Sequence, residues 1–277
     1  MWDKLATAGE SPYLEAKGVL GTSILWFEMD GDVPLDPSRY RELCMASVNT
    51  HDLPPTAGYL EGVRALCDEH GIVMIADEVM AGFGRVGEWF AVDRWGITPD
   101  LITFAKGVNS GYVPLGGVVI SRAVADTFTD RSFPGGLTYS GHPLACASAV
   151  ASIRIMEDEG VLEHVRDMGE RVIGPSLREI AQRHRSVGEV RGLGMFWAVE
   201  LVRDRETREP LVPFNAAGAA AAPMTAFAAA CRERGLWPFV HFNRTHVVPP
   251  CTTSEDELRR GLEILDEALT VADEHTA

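Results

Sequence analysis

Lys106 stands in ITFAKGVNSGYVPLGG, residues 102–117, between an apolar run and a glycine-rich loop. It is one of three lysines in the chain, with Lys4 and Lys17; the remaining side-chain cations are Arg and His. A lysine attacks a carbonyl as its neutral amine, and burial that lowers its pKa favours that form. The apolar ITFA run ahead of Lys106 predicts such a desolvated amine. The plainer alternative is a strand-end lysine whose stem lies on apolar surface and whose head reaches water. Scarcity of lysine elsewhere argues against ordinary surface usage. Asp77 closes the apolar run IVMIAD, and Glu78 follows it. A carboxylate at the end of a buried strand is costly unless paired. Its partner is a protonated ring nitrogen, the start of a following helix, or an arginine. Thr138 lies in GGLTYSGHP, residues 135–143, where glycine amides and hydroxyls precede a helix and suit a phosphate.

An amine for an aldehyde, an acid for a pyridine nitrogen and a hydroxyl loop for a phosphate together describe a site for pyridoxal 5'-phosphate (PLP). No HExxH, GxSxG or Walker-type loop occurs, and RGLGMF is too short a glycine pair to argue for a dinucleotide. His142 before a proline reads as a capping or packing residue. The five cysteines (Cys44, Cys67, Cys146, Cys231, Cys251) are scattered without a CxxC, which fits reduced thiols and predicts no bound metal.

The elements that must position these groups follow from periodicity. TAGYLEGVRALCDEHG has apolar residues at helical spacing and stops at Gly71. IVMIAD, PDLITF and GGVVIS are short apolar runs separated by helical or loop segments, the alternation of an open α/β sheet covered on both faces. Ligands of such sheets sit at the carboxyl ends of strands, where Asp77 and Lys106 fall. HPLACASAVASIRIMEDEG reads as a long helix and VLEHVRDMGERVIGPSLREIAQRH as amphipathic helix. VGEVRGLGMFWAVELV reads as two strands, or one bent strand, with a glycine turn at Gly192 to Gly194. LWPFV and THVVPP read as short strands, and SEDELRRGLEILDEALTVADEH as a terminal helix with a Ser254–Glu257 capping box. Residues 1–50 are least legible; LGTSILWFEM is predicted as strand and PSRYRELCMAS as helix. The net charge of −15 disfavours nucleic acid and anionic membrane surfaces. The first residues lack the apolar core of a signal peptide, and no apolar run reaches transmembrane length, so a cytoplasmic protein is expected.

In order along the chain, IADEVMAGFGR (75–85), PDLITFAKGVNSGYVPLGGVVIS (99–121), GGLTYSGHPLACASAVASI (135–153), EVRGLGMFWAVELV (189–202) and VVPPCTTSEDELRRGLEILDEAL resemble class III (omega-type) PLP-dependent aminotransferases. The resemblance runs over roughly residues 55–275 and lacks the family's N-terminal part. It implies an α/β chain: a partial large domain of PLP-transferase fold type I (51–159) after a divergent segment (1–50), then a smaller C-terminal α+β domain (160–277). It implies that Lys106 forms the internal aldimine and relays the substrate proton, and that Asp77 binds the pyridine nitrogen. Val79 would pack on one ring face, and Thr138 would bind the phosphate of a neighbouring subunit, hence a homodimer. Arg244 lies near the family's place for a substrate-carboxylate arginine. The implied reaction moves an amino group from an amine or amino acid to a keto or aldehyde acceptor. The family's phosphate-cupping G-S-x-A-N loop has no counterpart; Gly21, Thr22 and Ser23 lack the following Ala-Asn. Two other outcomes stay open: a non-catalytic aminotransferase-like subunit, and a sister PLP activity on the same scaffold.

Overall fold

A computed structural model describes residues 59–277, together with the backbone of four short strands before them. Those strands are β1 (Gly21–Ile24), β2 (Met29–Asp30), β3 (Val33–Pro34) and β4 (Cys44–Ser47). β1 pairs with β4 in parallel, and β2 pairs with β3 antiparallel. The strand expected in LGTSILWFEM is present; Cys44–Ser47, expected within a helix, is strand instead. The other residues of 1–58 lie outside the described residues. The chain divides into two compact units. One comprises Met1–Met80, Trp95–Phe104 and Gly116–Gly136; the other comprises Ala81–Arg94, Ala105–Leu115 and Leu137–Ala277.

In the first unit, helix α1 (Tyr59–His70) ends at Gly71, whose φ of +65° is the left-handed stop that glycine adopts freely. β5 (Ile75–Asp77) pairs in parallel with β6 (Leu101–Phe104), with Asp77 opposite Thr103. β7 (Gly117–Ile120) closes the three-stranded sheet antiparallel to β6. Gly117 faces Phe104, and a Cβ there would come within 2.5 Å of the Phe104 ring, so the pair requires glycine. Asp100, at the foot of β6, accepts hydrogen bonds from Arg64 of α1 (2.9 Å) and from the Met74 amide (2.8 Å). Burial pushes its carboxyl up, but the Met74 amide and Arg64 outweigh it and hold it below the usual range. This carboxylate fixes α1 against the strand starts. α2 (Arg122–Asp126) follows β7 and is capped by Ser121.

The second unit is built on the antiparallel sheet β10–β11–β9–β8: β8 (Val187–Leu193), β9 (Phe196–Leu201), β10 (Phe239–His241) and β11 (Arg244–Val247). β8 and β9 turn about Gly194, as the glycine spacing predicts. α3 (Pro143–Asp158) starts with a proline, whose missing N–H costs nothing in a first turn. α4 (Val161–Met168) and α5 (Gly174–Arg183) are joined by a π-helical turn, Gly169–Ile173, which the continuous amphipathic pattern does not announce. α6 (Ala222–Glu233) and α7 (Glu255–Asp273) complete the layer. The capping box at the start of α7 is formed reciprocally by Ser254 and Glu257, as expected. Phe227, Leu177, Met195, Leu201 and Leu269 are fully buried and centre this core.

A polar clasp closes the far end of that core. The buried His184 ring meets Asp273 through Nδ1 (2.7 Å) and Asp266 through Nε2 (2.9 Å). Asp273 also accepts the Ser186 amide at 2.9 Å. Burial pushes the Asp273 carboxyl up, but hydrogen bonds from Ser186 and His184 outweigh it and hold the carboxyl below the ordinary aspartate range. A depressed folded-state pKa stabilises fully above the unfolded value and is lost as pH falls through the folded one. Asp273→Asn is therefore expected to lower the urea midpoint near neutral pH. The gap to the parent protein should close as pH drops below about 4, measured by urea denaturation across pH.

Candidate functional site

The chain leaves β6 at Phe104 and turns at once into a short 3₁₀ helix, Lys106–Asn109. Lys106 has φ +42° and Ser110 φ +55°. Non-glycine residues seldom occupy the left-handed region, and those that do gather at functional sites, held there by their surroundings. The holding contacts are visible. Val108 and Asn109 are buried at 3% and 1% exposure. The Asn109 side-chain amide donates to the Val113 carbonyl (2.6 Å) and to Ser148 Oγ on α3 (3.0 Å). Ser148 in turn donates to the Ala145 carbonyl (2.8 Å). Behind the turn, a Cβ on Gly107 would come within 3.1 Å of Phe83 Cβ. The turn is thus clamped to α3 while Lys106 itself is exposed. The expected desolvated amine is not what the structure has: the inward positions of this turn are taken by Val108 and Asn109.

Asp77 is the last residue of β5 and is exposed; its Oδ1 accepts the Val79 amide at 3.1 Å. Glu78 is the buried carboxylate, 3% exposed, and its amide donates to Thr103 of β6 (2.9 Å). The burial expected of Asp77 falls instead on Glu78, one residue past the end of β5. Val79 is half-buried. Thr138 is exposed in a turn five residues before α3, with Gly141 at φ +68° on the way. Asp77 and Val79 belong to the first unit, and Lys106, Thr138 and Arg244 to the second.

Arg244 opens β11 and lies opposite Glu200 of β9 in register. Glu200 is occupied elsewhere: Arg191 bridges it at 2.9 Å and Asn243 at 3.4 Å. No carboxylate comes within 4 Å of the Arg244 guanidinium among the described residues. Burial, reinforced by Arg191 nearby, lowers its pKa despite the opposing pull of Glu200. A half-buried guanidinium without an ion pair is a ready acceptor for an anion.

Sequence reasoning passed over Asn109, whose role as the clamp shows only in its burial and bonds, and gave Glu78 no role. Among the described residues no group of three or more acidic, His or Cys side chains could hold a metal ion. No helix among them is long and apolar enough to cross a membrane. The side chains fit PLP by their chemistry: a primary amine on a constrained turn, a solvent-accessible carboxylate at a strand end, and an exposed hydroxyl ahead of a helix.

The relatives of this chain are aminotransferases. The family model for class-III aminotransferases matches residues 49–269. A second model, of 4-alpha-glucanotransferases, matches residues 7–90, under half of the chain. A 5-aminovalerate aminotransferase of Pseudomonas aeruginosa is 40% identical over 214 residues, 76% of this chain and 47% of that enzyme. A 4-aminobutyrate aminotransferase of Escherichia coli is 37% identical over 219 residues, 77% of this chain and 48% of its own length. The solved taurine:2-oxoglutarate aminotransferase of Bifidobacterium kashiwanohense, in complex with PLP and glutamate, is 44% identical with a TM-score of 0.75. That match covers 81% of this chain and 49% of the other. The chain thus spans about half the length of the relatives it matches. PLP is the cofactor this kinship indicates, and the solved relatives are PLP-dependent transaminases of fold type I. With its family model matched over most of its length, the chain belongs to the class III aminotransferases.

Proposed function

We propose that the protein moves an amino group between an amine or amino acid donor and a keto or aldehyde acceptor, with PLP held by its own side chains. The observation that carries this is the Lys106 turn: an amine forced to φ +42°, clamped by Asn109, directly after the strand that pairs with β5. When bound, PLP supplies an aldehyde that captures amines and a ring that withdraws electrons from the substrate carbon. Lys106 Nζ would hold the cofactor through that aldehyde and would be the base that carries a proton to and from the substrate carbon. The Asp77 carboxylate keeps the pyridine nitrogen protonated, which deepens the electron sink. Val79 covers one ring face. The Thr138 hydroxyl would donate to a phosphate; its exposure suits a phosphate held by a second subunit, which supports a homodimer. In this assignment residues 51–159 belong to the cofactor-binding large domain and 160–277 to the small domain. The acidic charge supports a cytoplasmic protein that meets small molecules rather than nucleic acid.

Arg244 takes the acid end of the donor. The matched relatives act, by their names, on 5-aminovalerate and 4-aminobutyrate, which carry an amine at one end and an acid at the other. Losing a charge-assisted pair predicts that Arg244→Gln raises KM for such donors about tenfold or more, with KM for a simple amine nearly unchanged. Steady-state kinetics with both donor types checks this. A second reading, a non-catalytic aminotransferase-like subunit, is favoured by the half-length match alone. Absorbance after adding PLP tests the proposed function: a violet-edge band that Lys106→Ala removes supports it, and no band with PLP in excess favours the second reading.

A further inference from the structure

We propose that Thr103 is a positioning residue for Asp77, its hydroxyl donating to the carboxylate that faces the pyridine nitrogen; this rests on the cofactor reading above and deepens it. Thr103 is the polar side chain of β6, Leu-Ile-Thr-Phe. Its backbone carbonyl is satisfied, since it accepts the Glu78 amide at 2.9 Å. Its Oγ1 is buried and has no hydrogen-bond partner among the described residues. A buried hydroxyl without a partner costs free energy. Valine would keep the branched shape that suits a strand and avoid that cost. Buried polar atoms left without a partner are few in native structures, and a functional role is one reason they persist.

The partner lies across the ladder, within the same unit. β5 and β6 are parallel, and Asp77 stands opposite Thr103. Opposed residues share a sheet face, and neighbouring strands lie ~4.8 Å apart. Over that span a threonine hydroxyl and an aspartate oxygen meet through a change of staggered rotamer. Asp77 has the capacity to accept. Its Oδ1 takes the Val79 amide at 3.1 Å, and no described residue donates to Oδ2. The Asp77 side chain is exposed, so water serves that oxygen. Covered by the ring, the carboxylate loses its water, and a donor on the neighbouring strand then stabilises its negative charge. With the Thr103 hydroxyl in place the shared proton stays on the ring nitrogen; without it the proton shifts towards the carboxylate.

Thr103→Val tests this, with Thr103→Ser as the conservative control and Asp77→Ala as the reference. Without cofactor, Thr103→Val should melt above the parent, because a methyl replaces a hydroxyl that has no partner. A lower melting temperature would mean that the hydroxyl already serves a structural bond, and would overturn the proposal. With PLP carrying nitrogen-15 in its ring, NMR of the parent protein should show a protonated ring nitrogen. Thr103→Val should move that resonance towards the unprotonated position and weaken PLP binding about tenfold, and Thr103→Ser should restore both. If Thr103→Val keeps the parent resonance and affinity while Asp77→Ala changes them, the proposal falls and the cofactor reading stands. If Asp77→Ala also leaves them unchanged, the cofactor reading falls and takes the proposal with it.

Discussion

On the proposed function, Lys106→Ala is expected to abolish transamination while leaving the fold intact. The side chain is exposed, so its loss removes no core packing. The backbone there is held by neighbours, not by the amine: Val108 and Asn109 are buried, and Asn109 bonds Val113 and Ser148. Alanine does relieve nothing at φ +42°, since it keeps a Cβ, so the melting temperature should move little. The chemical loss is large. Proton transfer by a positioned side chain alone contributes roughly 10²–10⁴-fold, and the proposed role of Lys106 includes holding the cofactor. Turnover should fall by at least that factor, with residual substrate binding preserved. Parent-like turnover in the variant would remove Lys106 from the mechanism.

Gly194→Ala should destabilise the second unit more than any conservative surface change. Gly194 has φ +53°, and a Cβ would fall 2.7 Å from the Val86 carbonyl carbon and 2.8 Å from Val86 Cα. Both obstacles are backbone and cannot rotate away. The same turn is pinned from two other sides. The Trp197 indole donates to the Gly194 carbonyl at 2.7 Å, and a Cβ on Gly169 would come within 2.4 Å of that oxygen. The π-helical turn starting at Gly169 therefore packs backbone to backbone on the β8–β9 hairpin. Overpacking and the left-handed penalty together cost about 3 kcal/mol, which corresponds to a fall in Tm of roughly 10 °C for a chain of this size. Thermal melting followed by circular dichroism measures it; an unchanged Tm would mean that the hairpin can move away from Val86.

The legible parts of the molecule are those where local physics and tertiary placement agree. The helix ending at Gly71, the glycine turn between β8 and β9, and the Ser254–Glu257 box follow from period and capping chemistry, and all three are present. The three apolar runs that bracket Asp77 and Lys106 are strands β5, β6 and β7. Burial was less legible. An apolar run before Lys106 predicts a desolvated amine, but which side of a turn faces inward depends on φ values that composition does not encode. Asp77 and Glu78 are adjacent acids with opposite burial, a difference that composition does not encode. The π-helical turn at Gly169–Ile173 packs closely on Gly194, a long-range contact invisible to a helical pattern. Cys44–Ser47 took a strand where helical spacing was expected, since its parallel partner β1 is twenty residues away in sequence. Residues 1–48 were illegible as an aminotransferase for a simpler reason: they lie outside that family's match, and the 4-alpha-glucanotransferase model begins within them at residue 7.

The chain's composition makes the most direct test unusually clean, because only Lys4, Lys17 and Lys106 offer a side-chain amine. The protein is incubated with PLP, reduced with borohydride to make any lysine–cofactor bond permanent, digested, and mapped by mass spectrometry. The phosphopyridoxyl mass should appear on the peptide containing Lys106 and disappear with Lys106→Ala. It should also drop sharply with Asp77→Ala, which removes the proposed anchor for the ring nitrogen. Equal labelling of Lys4 and Lys17, or no label on Lys106 at saturating PLP, would contradict the assignment of Lys106 as the cofactor-bearing residue.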